Sequence, residues 1–232
     1  MTSILKFSGA ALVFATTAVH AQEPVEPLGS HQQHFAPSIG VRAGFIEDEG
    51  FDRFATNDVL TQLTVGFSRT LRVVGDLSVA GDLHWDYGGR SAQARGMPAS
   101  LDVHRLSIGP ELRFQPFFFA YGFGRISPAL LNTSASLQDD ISGVTLHARN
   151  WTYGLDATLG IAVQLYGDRS GASNKPRIWG SIEGGYGYGA PTKLSFVPDE
   201  EEKNEPLRLS SVELGELSVS GPLLRVAAAV SF

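Results

Sequence analysis

The chain contains no cysteine among its 232 residues. A small exported domain held together by disulfides is therefore excluded, and stability must come from burial and a closed hydrogen-bond ladder. Long apolar runs are missing too. The longest, Phe7 to Val19, covers about 13 residues against the roughly 20 that a spanning helix needs, so a helical membrane protein is excluded. Positive charge is scarce, with 18 Lys and Arg against 24 Asp and Glu and a net charge of −6. That balance argues against nucleic acid as a partner. What remains is one domain's worth of material, 43% hydrophobic and with 26 glycines.

The first residues have a recognisable job. Lys6 precedes the uncharged run of small and apolar residues, and Val19-His20-Ala21 stands before Gln22. This is the layout of a secretory signal over residues 1–21, cleaved after Ala21. Residues 22–36 read as a flexible periplasmic leader rich in Pro and Gln, and 37–232 as the folded body. His31-Gln32-Gln33-His34 lies in that leader, and two histidines alone are a weak metal signal.

Strands are expected at about 37–46, 59–68, 76–88, 103–114, 117–130, 149–166, 177–190 and 219–232. In the third, Leu77, Val79, Gly81, Leu83, Trp85 and Tyr87 oppose Ser78, Ala80, Asp82, His84 and Asp86. In the sixth, Trp151, Tyr153, Leu155, Ala157, Leu159, Ile161, Val163 and Leu165 share one face. Period two over such lengths exceeds the 5 to 6 residues of an ordinary strand and suits a tilted membrane strand. The connections alternate long and short. Glu47 to Asp58, Gly89 to Asp102, Leu131 to Ala148 and Pro191 to Ser218 are long. Arg69 to Gly75, Gln115-Pro116 and Gly167 to Pro176 are shorter, as expected where short periplasmic turns alternate with long outer loops. Aromatics cluster at strand ends, where rings favour the head-group interface. Trp85, Tyr87, Trp151, Tyr153, Tyr186 and Tyr188 fall at the outer rim, and Phe67, Phe114, Phe117 and Phe232 at the inner one.

Three features fit less simply. Pro110 and Pro222 lie within strands and cannot donate to a ladder, so a bulge is expected at each. Phe117, Phe119, Tyr121 and Phe123 share a face with Arg125 and Ser127, which suggests a slip of phase near Gly124. Leu207 to Leu217 reads as an additional short strand or as part of a hairpin above the membrane, so ten strands are possible.

With apolar faces on lipid, the opposite faces collect Arg42, Gln62, Thr64, Asp82, Asp86, Arg105, Glu111, Arg113, Asp156, Glu183 and Arg225 inside. An eight-stranded barrel is just wide enough to be filled by its side chains, so these residues read as a polar plug. A gated narrow channel for small solutes is the alternative. No catalytic grouping emerges: His104 and Ser107 lie on opposite faces, and His84 has Asp82 and Asp86 on its face but only Ser78 as a hydroxyl there. Gly184 to Gly189 is no phosphate loop, because no helix follows it. Its glycines leave room inside under outward-facing tyrosines. No cofactor is implied. The outer loops are acidic: Glu47, Asp48, Glu49, Asp52 and Asp58 against Arg53 leave −4, as do Asp199, Glu200, Glu201, Glu202 and Glu205 against Lys203. Such segments can bind divalent cations weakly and tie them to lipopolysaccharide.

The last strand alternates Leu224, Val226, Ala228, Val230 and Phe232 against a mixed face and stops on the aromatic. This resembles the C-terminal insertion signal of bacterial outer-membrane β-barrels, and implies recognition by the barrel-assembly machinery. Taken whole, the pattern resembles the OmpA, OmpX and OmpW class of small barrels. The resemblance implies an eight-stranded antiparallel up-and-down transmembrane β-barrel in the bacterial outer membrane, with a structural or surface-exposed role and no enzymatic one. Lipid and lipopolysaccharide would be its surroundings. An exported soluble β-barrel holding an apolar ligand is the other reading, and it requires the apolar stripes inside and the charges outside. N-terminal sequencing of the protein recovered from the envelope should begin at Gln22; a chain that retains Met1 would contradict the signal peptide.

Overall fold

Strict alternation over long segments leaves the backbone one good option, extended chain paired on both sides, and the computed structural model takes it throughout. It describes residues 35–94, 97–138, 145–167, 176–198 and 212–231. The signal and most of the leader, together with Phe232, lie outside the described residues. The strands are β1 (Phe35–Phe45), β2 (Val59–Val74), β3 (Leu77–Ala94), β4 (Met97–Phe117), β5 (Ala120–Gln138), β6 (Thr145–Tyr166), β7 (Arg177–Gly189), β8 (Thr192–Pro198), β9 (Val212–Leu217) and β10 (Gly221–Ser231). From β1 to β7 each strand pairs antiparallel with the next, and β10 pairs with both β7 and β1. The ring therefore closes with eight strands. β8 and β9 are the two additional strands: β8 joins the outer end of β6 at Leu146↔Pro198 and His147↔Val197, and β9 pairs with β8. They form a hairpin beyond the ring rather than widening it.

Two of the connections expected to be long loops are strand instead. β3 and β4 run on through most of 89–102 and β5 and β6 through most of 131–148, because the polarity of the alternation inverts. On β4 the outward residues change from Leu112, Ile108 and Leu106 to His104, Asp102 and Ser100, while the inward ones change from Arg113, Glu111 and Arg105 to Val103, Leu101 and Ala99. β5 does the same, from Ile126 and Leu130 outward to Asn132, Ser134 and Ser136, with Leu131, Ala135 and Leu137 inside. Below the inversion the wall suits lipid outside. Above it the wall is that of a water-soluble protein.

The bulges expected at Pro110 and Pro222 do not occur. Pro222 pairs in register with Tyr186, and pairing of β10 with β1 begins only at Leu223, so the proline sits at a strand start with one paired neighbour. Pro110 pairs in register with Gly81. On its other side the β4–β5 register is interrupted between Ser107↔Ala129 and Glu111↔Arg125, without a shift, and Pro128 faces the same interruption. Two prolines on facing strands, two positions apart in register, remove donors from one seam, so a gap replaces a bulge. Within the ring, register shifts fall instead toward the periplasmic turns, at Thr70/Arg72, Phe114/Phe117 and Gln164/Tyr166.

The wall is tightly coiled at this seam. A Cβ on Gly109 would lie 2.2 Å from the Ile126 carbonyl oxygen and 2.8 Å from Ser127 Cα, both main-chain atoms. Gly109→Ala should therefore destabilise the barrel by about 1–3 kcal/mol through overpacking, read as an earlier midpoint in urea. Gly81→Ala, whose Cβ meets only Leu71 Cδ1 at 3.7 Å, should unfold with the parent. Equal midpoints for both would mean that no close approach exists.

Candidate functional site

The outer surface of the ring is apolar. Ile39, Val65, Ile108, Leu159, Ile182 and Val226, from six different strands, all point outward, and Leu159 is 74% exposed. A soluble monomer does not present a continuous belt of this size. Trp85, Tyr87, Trp151, Tyr153, Tyr186 and Tyr188 project from the belt's outer margin, and Phe114 and Phe117 from its inner margin. Phe67 is half-buried there against Phe35, with ring centroids 4.3 Å apart. The soluble reading needed the reverse, stripes inside and charges out. It is overturned, because the charges are what the barrel encloses.

All nine charged residues picked from the sequence, Arg42, Asp82, Asp86, Arg105, Glu111, Arg113, Asp156, Glu183 and Arg225, are buried in the lumen, with Gln62 and Thr64. They fall into two layers. In the outer one, Arg105 donates from Nε to Asp156 Oδ2 at 2.9 Å and from Nη2 to Oδ1 at 2.6 Å, a bidentate pair. Arg42 lies 3.7 Å from the same carboxylate and donates to Gln62 Oε1. Thr64 Oγ1 donates to Asp86 at 2.6 Å. In the inner layer Arg113 donates to Glu111, and Arg125 meets Glu111, Asp82 and Glu183. Arg225 joins the layers, donating to Glu183 at 2.6 Å and to Asp86 at 3.0 Å. Gly187 makes room for this: a Cβ there would stand 2.8 Å from both Arg42 Nη2 and Asp156 Oδ1. Glycine between outward tyrosines is thus a packing requirement of the lumen.

The sequence pattern puts Arg125 on one face with Tyr121 and Phe123 and suggests a slip of phase near Gly124. The structure turns Tyr121, Phe123, Arg125 and Ser127 inward with no slip at Gly124, leaving Phe117 and Phe119 exposed at the turn: Tyr121 is 9% exposed and Phe123 7%, while Ile126 and Leu130 meet lipid. Facing Arg113 and Arg125 decides this, with each guanidinium 5.4 Å from a ring centroid, over Tyr121 and Phe123 respectively. The correction also balances the two charged layers, beyond which Arg177 is buried at the inner end of the same face as Trp179. Five acids face four arginines in the sequence reading, and Arg125 is the fifth; buried charges persist only when paired. Trp179 is a further lumen residue that the sequence reading misses, although it shares its strand face with Glu183. It is buried beside Tyr121, donates from Nε1 to Ser231 Oγ at 3.1 Å, and narrows the inner end of the lumen.

The outer end is closed by apolar side chains. The short 3-10 turn Phe51–Arg53 inserts Phe51, and Phe54 follows it; both pack with Leu101, Leu131, Phe196 and Leu217 in one core above the charged layers. Asp48 pins this loop by accepting from Gly50 N at 2.7 Å and Ser218 N at 3.0 Å, and Glu47 accepts from Tyr186 at 3.0 Å. The Asp52 carboxyl in the same loop is raised above its usual range, first by desolvation and then by Asp58, Glu49 and Asp48. No group of three metal-ligating side chains occurs among the described residues. The second acidic cluster, Asp199 to Glu205, lies outside them.

No hydrolytic triad assembles from the candidates considered. His84 Nε2 is 2.7 Å from Asp82 and 2.6 Å from Arg125 Nη1, within the ion-pair network. Ser78 is six residues along the strand from it, about 20 Å at the rise of extended chain. His104 stacks outward on Tyr87 at 4.6 Å, away from buried Ser107. On the last strand Leu224, Val226 and Ala228 face outward and Val230 is half-buried. Removing one member of a buried pair leaves an uncompensated charge, so Asp156→Ala should cost about 3–5 kcal/mol, measured as a loss of urea resistance. Replacing both partners, Arg105→Leu with Asp156→Leu, should recover most of it. If the double variant were as unstable as the single, pairing would not be the source of the loss.

No family model matches the chain, and no curated protein does. Among solved structures the chain is similar to Neisserial surface protein A, at 10% identity over 86% of this chain and 97% of that one, with a TM-score of 0.43. It is similar to Ail, the attachment invasion locus protein of Yersinia pestis, at 12% identity over 87% and 100% of the two chains, with a TM-score of 0.47. It is similar also to a major outer membrane protein from Thermus thermophilus, at 13% identity over 85% and 99%, with a TM-score of 0.45.

Proposed function

We propose that the protein is an integral outer-membrane β-barrel with a structural or surface-exposed, non-enzymatic role, closed to solutes. The observation that carries this reading is the double closure of the lumen, in which paired charges fill the section within the membrane and an apolar core built around Phe51, Phe54 and Phe196 seals the section above. A cavity in the inner half of the lumen has only about 40 Å³, room for a few waters, and a hydrated solute needs more. The exposed part that can meet other molecules is the wall above the inversion, four strands deep from β3 to β6, continued by the β8–β9 hairpin.

The same reading supplies its partners. Lipid covers the belt, lipopolysaccharide borders the outer aromatic rim, and the barrel-assembly machinery takes up the C-terminal strand. Divalent cations at the acidic outer loops belong to this proposal as bridges to lipopolysaccharide.

Single-channel recording in planar bilayers tests the closure directly. The refolded, heat-modifiable barrel should insert without producing discrete conductance steps. Steady, reproducible steps from the purified protein would replace the plug with the narrow channel.

A further inference from the structure

Period two along β2 sends Leu63, Val65, Phe67 and Arg69 outward and would send Arg72 into the lumen with Thr70. The structure breaks that phase once. Thr70 pairs with Ala80 and Arg72 with Val79, so Leu71 is an extra residue in a β-bulge. Thr70 stays inside, where its hydroxyl accepts from Arg113 Nη1 at 3.5 Å. Leu71 turns outward and reaches over Gly81, where a Cβ would meet its Cδ1 at 3.7 Å. Arg72 then opposes Val79, which faces lipid, and stands exposed on the same face as Arg69. The bulge re-aims one arginine from the lumen to the belt.

These two arginines are exceptions on the outer surface. Among the described residues they are the only charged side chains that the eight ring strands point outward below the outer aromatic margin. Their surroundings are apolar: Phe35 pairs across from Arg69, and Leu77, Val79 and Phe114 lie exposed on the other side. The five arginines of the charged layers each pair with a carboxylate. Arg69 and Arg72 pair with no described residue, Asp76 of the following turn included.

Their place on the strand sets their depth. β2 ends at Val74, two residues beyond Arg72, and the turn Gly75-Asp76 follows. Phe35 and Phe67, in edge contact, mark the inner aromatic margin at the level of Arg69. Both arginines therefore stand where the hydrocarbon of the periplasmic leaflet gives way to phosphates, and a guanidinium on an apolar wall extends its head to that level. They oppose residues two apart on β3, about 7 Å at the rise of extended chain. Both forks can thus reach one phosphodiester. Two positive charges against one phosphate favour a headgroup of net negative charge, because the ammonium of a zwitterionic headgroup is repelled.

We propose that Arg69 and Arg72 form a headgroup site for one anionic phospholipid of the periplasmic leaflet, with the Leu71 bulge holding both guanidiniums on the lipid face. This rests on the outer-membrane reading above. The lipid phosphate supplies the counter-charge that the neighbouring side chains withhold.

The test uses the full mature chain refolded into vesicles of equimolar phosphatidylethanolamine and phosphatidylglycerol, extracted in mild detergent and weighed by native mass spectrometry. The parent should carry phosphatidylglycerol in excess over phosphatidylethanolamine, and millimolar glycerol phosphate should not remove it. Arg69→Gln combined with Arg72→Gln, both at exposed positions, should lose that preference by about an order of magnitude while its unboiled gel mobility stays that of a folded barrel. Arg149→Gln combined with Lys193→Gln removes the same charge above the outer margin and should bind like the parent. Equal retention of the two lipids by the parent, unchanged preference in the Arg69 and Arg72 variant, or equal loss in the Arg149 and Lys193 variant would each overturn the site. Displacement by glycerol phosphate would overturn it too, by assigning the arginines to a soluble anion. None of these would touch the barrel reading, which heat modifiability reports separately.

Discussion

A chain that crosses a bilayer as strands can leave no backbone N–H or C=O facing hydrocarbon, and here the pairing of β10 with β1 is what satisfies that demand. Until those strands meet, two edges lie open. Once they meet, every side chain is assigned to lipid or to lumen, and eight strands leave a lumen that side chains must fill. The composition of the interior follows from closure. The five arginines and five carboxylates of the two layers are held there because they pair with one another inside the ring, as Arg225 does in reaching both Glu183 on β7 and Asp86 on β3. Glycine at 187 is the steric counterpart of the same fact, since a side chain there would displace Arg42 from Asp156.

The second organising feature is the inversion of polarity along single unbroken strands. β4 and β5 do not stop at the membrane surface. They continue with the same backbone and exchange the roles of their faces, so a lipid-facing belt with a polar interior becomes a water-facing wall with an apolar interior. That exchange makes the outer closure possible. Phe51, Phe54 and Phe196 have somewhere apolar to go only because Leu101, Val103 and Leu131 have turned inward above the charged layers. A plugged lumen and a rigid exposed surface are therefore two consequences of one pattern.

Much of this was legible in the linear chain. The ring strands, the lipid and lumen faces of β3 and β6, the outer aromatic margin and nine of the ten charges in the two paired layers follow from period two alone. The strand extensions were not legible, because a search for one face that stays apolar ends where polarity inverts, at His104 on β4 and at Asn132 on β5. Arg125 was left unassigned because Tyr121 and Phe123 resemble belt residues, and aromatic rings serve equally well against lipid or stacked under guanidinium groups. A count of charges, five acids against four arginines, was the available signal that one arginine was missing.

What the sequence determined by itself is the alternation, and with it the class of fold, since side chains on extended backbone must divide between two faces. What only the tertiary structure decided is which face of β5 looks inward, that the prolines at 110 and 128 fall in the same interruption of one seam, and that Trp179 and the phenylalanines of the first outer loop narrow or seal the ends. These are meetings of residues far apart in the chain, set by ring closure and register, and local periodicity carries no information about them.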